Sequence, residues 1–212
     1  MCGRYQLNTE FSNLPDLLKK DMPKGLRESY EKQELIKPGS PIIVLKSEGK
    51  TQTSIMLWGF ISEWSKDPFN KSNPKPFNAR SESVDKKMLF RTSWKYKRCL
   101  IPATGFIEKG NLISRKDSKP FWLGGLWNRW ISKEGSELET CCVLTTEANN
   151  LIKKLHDRMP VIIPNGMEAE WISSIKSSTE LKALKPLMNK WNPEEWKSET
   201  IKKPKDIQLC FL

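Results

Sequence analysis

Apolar positions follow two periods along this chain. Between Thr9 and about Lys20, residues Phe11, Leu14, Leu17 and Leu18 fall at helical spacing behind a threonine able to cap the first turn, which predicts a first helix. Met22 to Pro41 is polar and proline-marked and reads as a loop. PIIVLK (Pro41–Lys46) and TSIMLWGF (Thr53–Phe60) predict two strands around an EGK turn, and Ser62 to Pro76 predicts an exposed loop. A short helix is expected over Ser81–Phe90 with Ser81 as its cap. Arg98–Lys109 reads as strand, turn, strand. The longest strand signals are Pro120–Trp130 and Glu137–Thr146, joined by KEGS.

Thr146–His156 then predicts a helix, and MPVIIP (Met159–Pro164) a short strand. MEAEWISS and TELKALKPLM predict two short amphipathic helices. From Asn189 the chain is lysine-rich and irregular, with IQLCFL as a last strand. There is no internal repeat and no regular βαβ rhythm. The pattern therefore predicts an α+β domain with mainly antiparallel sheet, extending over residues 1–212.

The 212 residues can bury a core without disulfide staples. Charge changes the picture: 36 Lys+Arg against 25 Asp+Glu give a net charge of +11. Such a surface attracts polyanions, nucleic acid first among them, although a lysine-rich surface also serves solubility alone. The five cysteines (Cys2, Cys99, Cys141, Cys142, Cys210) are odd in number and form no CxxC pair. They support neither a disulfide framework nor a zinc site, and a reducing cytoplasm fits them. Cys141 and Cys142 lie in an apolar run and read as buried hydrophobes. No signal peptide or membrane span is evident. A single histidine excludes multi-histidine metal sites, and neither metal nor cofactor is expected.

Four short stretches carry candidate chemistry. MCGRY places a cysteine where removal of Met1 would leave one residue with both a free α-amine and a thiol. FNARSES places Asn78 and Arg80 two apart on an extended segment, so that an amide and a guanidinium share a face suited to a phosphate or sugar. From these residues alone, local hydrogen bonds by Asn78 and Arg80 beside a helix capped by Ser81 are the favoured reading. IPATGFIEKG ends an apolar strand in Glu108, where a partly desolvated carboxylate can act as acid or base; a plain surface turn is the alternative. LHDRMPVII places His156 at a polar helix-to-strand junction, where it can titrate near neutrality or interact with a helix dipole. Nine tryptophans are many for this length; Trp58 and Trp64 flank the exposed loop and are the candidate base-stackers.

MCGRY, FNARSES, CLIPATGFIEK and HDRMPVI, in this order, resemble the SOS response-associated peptidase (SRAP) family from Cys2 to about Pro164. WGF, PFWLGGLW and TTEAN resemble further family segments. Residues 165–212 are only loosely similar. The resemblance implies an α+β domain with a β-barrel-like core and a basic groove for single-stranded DNA. It also implies covalent attachment to abasic sites in that DNA. Carried over by motif, Cys2 is the nucleophile, supported by Asn78, Glu108 and His156. Arg4 and Arg80 match DNA-contacting arginines, Trp58 matches a groove tryptophan, and Arg158 joins the basic lining. Ile107-Glu108-Lys109 departs from the Tyr-Glu-Trp often found around the family's glutamate. A monomer is expected, in the cytoplasm and associated with the nucleoid when bound to DNA.

The chemistry can be checked on its own terms. The amine of an N-terminal cysteine forms an imine with the aldehyde of an open abasic sugar, and its thiol closes a thiazolidine ring. With ordinary pKa values of ~7.7–8.0 for an α-amine and ~8.5 for a thiol, both nucleophilic forms are expected near neutrality. A thiol (auto)peptidase using Cys2, His156 and Glu108, or a non-covalent single-strand binder, are the alternative readings.

Overall fold

The computed structural model describes residues 2–175 and 177–201, so the strand expected at IQLCFL and the cysteine within it lie outside the described residues. The chain opens with β1 (Tyr5–Leu7), a 3-10 turn at Phe11–Asn13, α1 (Asp16–Lys20), α2 (Lys24–Glu28) and β2 (Gln33–Ile36). The hairpin β3 (Pro41–Glu48) and β4 (Lys50–Trp58) follows, then β5 (Asn78–Arg80) and α3 (Met88–Tyr96). Next come β6 (Arg98–Ala103), β7 (Gly105–Glu108), β8 (Asn111–Arg115), β9 (Phe121–Ile131) and β10 (Glu137–Glu147). The remainder comprises α4 (Asn150–Lys153), β11 (Arg158–Pro160), β12 (Ile162–Ile163), α5 (Glu168–Ile172), α6 (Ser178–Ala183) and β13 (Trp196–Thr200).

Strands β4, β3, β6, β9 and β10 close into a five-stranded barrel. Every pairing in it is antiparallel except the closing one, where β10 runs parallel to β4 with Cys141 opposite Trp58. A second, antiparallel sheet of order β13-β8-β7-β1-β2 leans on the barrel. Only Thr104 separates β6 in the barrel from β7 in this sheet. Its amide donates to the Gln6 carbonyl (2.9 Å) and its hydroxyl accepts from the Asn8 amide (2.9 Å). Closure explains why β9 is buried on both faces from Phe121 to Asn128. Gly125 lies opposite Cys99, while the neighbouring Gly124 packs under Val161, Ile163 and Trp171.

The buried Arg98 ties two helices to this barrel. Its guanidinium donates to the carbonyls of Trp94 and Lys95 in α3, and to those of Trp171 at the end of α5 and Ser173 just beyond it, at 2.5–2.8 Å. One side chain thus satisfies four carbonyls at or just beyond the ends of two helices, those of Trp94 and Trp171 in buried bonds.

Several sequence expectations change. The first helix is interrupted because Leu14, preceding Pro15, is held extended (φ −62, ψ 151), and α1 begins only after the proline. The expected loop at 22–41 contains α2 and β2; three of the four residues of β2 are exposed, which hides an edge strand from a hydrophobic pattern. The helix expected at Ser81–Phe90 starts instead at Met88. The Ser81 amide is held by the Thr145 carbonyl (2.9 Å) as a continuation of β5, and the N-cap position of the helix falls at Lys87 instead of Ser81. The helix expected from Thr146 is reduced to Asn150–Lys153, capped by the Asn149 side chain, because β10 runs on to Glu147. MPVIIP divides at Val161. Its amide goes to Leu144 on β10 and its carbonyl to Gly124 on β9, so β11 and β12 serve different neighbours. The lysine-rich end supplies β13, anchored by Trp196 against Phe121 (ring centroids 4.7 Å).

A β-carbon at position 125 would meet the Cys142 carbonyl and the Cys99 sulfur, each at 2.9 Å. Gly125→Ala is therefore expected to destabilise the fold by about 1–3 kcal/mol. Urea unfolding would read this as a lower midpoint with an unchanged slope.

Candidate active site

The site is assembled by strand pairing. Strand β5 runs parallel to β10 with Asn78 opposite Val143, Ala79 opposite Leu144 and Arg80 opposite Thr145. Ala79 is buried, and Asn78, Ala79 and Arg80 all line a 430 Å³ cleft. The Asn78 amide donates to the Cys2 carbonyl at 3.0 Å. The other end of the same side chain, Oδ1, is buried and has no hydrogen-bond partner among the described residues.

Glu108 arrives from the second sheet. It ends β7 and pairs with Asn111 across Lys109 and Gly110, whose φ values of 46 and 76 mark a type I′ turn. The carboxylate is half-buried and lines a 300 Å³ cleft with Gly3 and Arg4. The Ile107 amide donates to the Arg4 carbonyl (2.9 Å), so the amino-terminal segment runs beside the strand that ends in Glu108. Burial first, and the Glu108 charge second, push the Cys2 thiol up from 9.0 to about 12. The resident form is then the thiol, and its proton must be removed in any step that uses the sulfur as a nucleophile.

His156 stands on the adjoining wall, half-buried between α4 and β11. Its Nδ1 accepts the Arg158 amide at 2.9 Å. It lines a 690 Å³ cleft with Arg80, Lys153, Arg158 and Lys190, and Arg80 belongs to this cleft and to that of Asn78. Lys153 (2.8 Å) holds the Asp157 carboxyl below its usual range, and Lys109 on the turn after Glu108 adds to the effect, so the hairpin tip and the histidine loop lie within electrostatic reach. Tertiary structure thus brings Asn78 and Glu108 to Cys2, and His156 lines a neighbouring cleft that shares Arg80 with that of Asn78. Among the described residues, no group of three or more His, Cys, Asp or Glu side chains could hold a metal ion.

Arg4 and Arg80 are exposed at the cleft rims. Trp58 is not: it is fully buried, its indole donates to the Phe77 carbonyl (2.9 Å), and it meets Tyr5 edge-on (5.2 Å). It offers no open face for a base, and it buttresses the residue that precedes Asn78. The surface tryptophan flanking this loop is Trp64, 54% exposed. Arg158 is also less available than expected, because its guanidinium is engaged in a two-pronged pair with Glu82 at 2.6 and 2.8 Å. Glu82 was visible within FNARSES, but nothing local in the sequence tied it to a residue 76 positions away.

Residues 1–204 match the family described as SOS response associated peptidase (SRAP), and the chain belongs to it; the match extends well beyond Pro164. The chain is 34% identical over 192 residues to the abasic site processing protein YoaM of Bacillus subtilis, covering 85% of this chain and 82% of that protein. It is 32% identical over 213 residues to YoqW, an abasic site processing protein of the same organism, covering 95% and 92%. A crystal structure of a protein from Bacteroides thetaiotaomicron shares the fold, with a TM-score of 0.80 at 22% identity over 95% of this chain and 92% of that one.

Burial raises the Tyr5 hydroxyl and the Cys99, Cys141 and Cys142 thiols as well as Cys2. Above about pH 9 the unfolded chain would therefore hold fewer protons than the folded one, and stability should fall as pH rises. The contribution of Cys2 is fully present below pH 9.0 and lost through about pH 12. Urea titrations across that window should show a shallower loss for Cys2→Ala than for the wild-type chain.

Proposed function

We propose that this chain, once Met1 is removed, binds single-stranded DNA and attaches itself covalently to abasic sites through Cys2. The observation that carries the reading is the Asn78 side chain. One end holds the Cys2 carbonyl at 3.0 Å, and the other presents a buried, unpartnered acceptor beside the residue that would bear the free amine. An acceptor there can orient the α-amine toward a bound aldehyde.

The amine attacks the aldehyde carbon of the open sugar, forming a C–N bond. Glu108 takes a proton from nitrogen and helps the oxygen leave as water, giving the imine. The Cys2 thiol then adds across the C=N bond. Its proton leaves through Glu108 for the nitrogen as the C–S bond closes the thiazolidine. A thiol held protonated by burial and by Glu108 suits this sequence, since the group that opposes ionisation is also the one that can accept the proton. His156 would donate a hydrogen bond to the sugar ring oxygen and favour the open aldehyde. Arg4 and Arg80 would bind flanking phosphates. The ring cannot undergo the β-elimination open to the imine, so the strand is protected.

Incubation with single-stranded DNA carrying one abasic site should yield a band that survives denaturation, with the protein mass lacking Met1. Cys2→Ala should abolish it; an adduct formed by that variant, or none formed by protein shown to begin at Cys2, would refute the reading. Glu108→Gln is expected to slow adduct formation by about 10²-fold with little change in affinity, measured as single-turnover rate against filter-binding Kd. Arg80→Ala should lower the slope of log affinity against log salt by about 1.

A further inference from the structure

Arg158 is held more firmly than a phosphate-binding arginine at a cleft rim needs to be. Its Nη1 donates to Glu82 Oε1 at 2.6 Å, and its Nη2 donates to Glu82 Oε2 at 2.8 Å and to the Thr145 carbonyl at 2.5 Å. Thr145 is fully buried in β10. A fork-on-carboxylate pair of this kind fixes direction as well as distance. Partial burial acts to raise the Glu82 carboxyl, and the Arg158 hydrogen bonds override it, leaving it below its usual range.

The clasp connects two segments distant in sequence. Glu82 lies two residues beyond Arg80, and Arg158 two beyond His156. The same residue that Glu82 holds by its side chain donates its backbone amide to His156 Nδ1 at 2.9 Å. An imidazole nitrogen that accepts a hydrogen bond carries no proton, so the neutral ring must carry it on Nε2. That leaves Nε2–H as the hydrogen-bond donor His156 can present in the cleft it lines.

We propose that Glu82 is a positioning residue: by clasping Arg158 it holds the Arg158 amide against His156 Nδ1 and so fixes the histidine as its Nε2–H form beside the cleft. Arg158 is then the link between Glu82 and His156. The effect on reaction rate rests on the proposed role of His156; the proton position does not.

The test uses the untagged chain, whose single histidine gives one pair of ring nitrogen resonances. With 15N-labelled histidine at a pH where the ring is neutral, the wild-type chain should show a protonated Nε2 and an unprotonated Nδ1. Glu82→Ala should shift both resonances toward averaged positions, with adduct formation slowed roughly tenfold. Glu82→Gln should lie between, and Glu82→Asp should restore much of the wild-type pattern. Where Glu82→Ala fails to fold, Glu82→Gln carries the comparison. Wild-type resonances retained in the variant would overturn the clasp. Shifted resonances with an unchanged adduct rate would overturn its role in the reaction. If the wild-type chain itself forms no adduct, the functional reading fails, and the nitrogen resonances still decide the clasp.

Discussion

Strand β10 is the constraint on which the rest depends. Its first half closes the barrel by pairing with β9 on one side and β4 on the other. Its second half, from Val143 to Glu147, leaves β4 and takes β5 and β11 as neighbours. One run of eleven residues thereby sets the barrel geometry and the places of Asn78, Arg80 and Arg158. A register slip of one residue would turn every side chain of β10 to its other face and separate these groups. The burial of β10 on both faces opposes such a slip, because exposing Val143 or Leu144 would cost the transfer of large apolar side chains to water.

The second sheet contributes what the barrel cannot. Cys2 leads into β1 and Glu108 ends β7, its neighbour in that sheet, with Asn78 reaching across from β5 to the Cys2 carbonyl. The site is therefore a seam between two sheets. Its rigidity comes from short connections, above all the single residue Thr104 between β6 and β7 and the two-residue turn after Glu108. The turn demands left-handed backbone at Lys109, which a lysine adopts only with strain, and Glu108 sits immediately before it. Where the family often carries an aromatic residue after its glutamate, this chain carries a cation at the hairpin tip, within electrostatic reach of Asp157.

Charge in the clefts is more structured than the net value of +11 suggests. Lys153 pairs with Asp157, Lys190 with Glu147 and Arg158 with Glu82. Arg80, which lines both clefts, forms no ion pair with a described residue. A basic composition drew attention to polyanions, but it is the pairing pattern that separates cations available to a phosphate from those that hold the walls together.

The sequence by itself determined the α+β class, the long strands around KEGS, the exposed loop at 62–76 and the four motifs, because period, turn residues and motif spacing are local properties. It did not determine where helices yield to strands at Ser81 and Thr146, since there the hydrogen bonds come from β10, far away in the chain. It misplaced Trp58, because an aromatic beside an exposed loop looks the same in sequence whether it faces solvent or core. It left Glu82 unassigned, because a carboxylate acquires its role only from the guanidinium brought to it. Only the tertiary structure decided that Cys2 is buried against Asn78 and Glu108 and that its thiol is held protonated. Desolvation and the nearness of another charge depend on what surrounds a group in space.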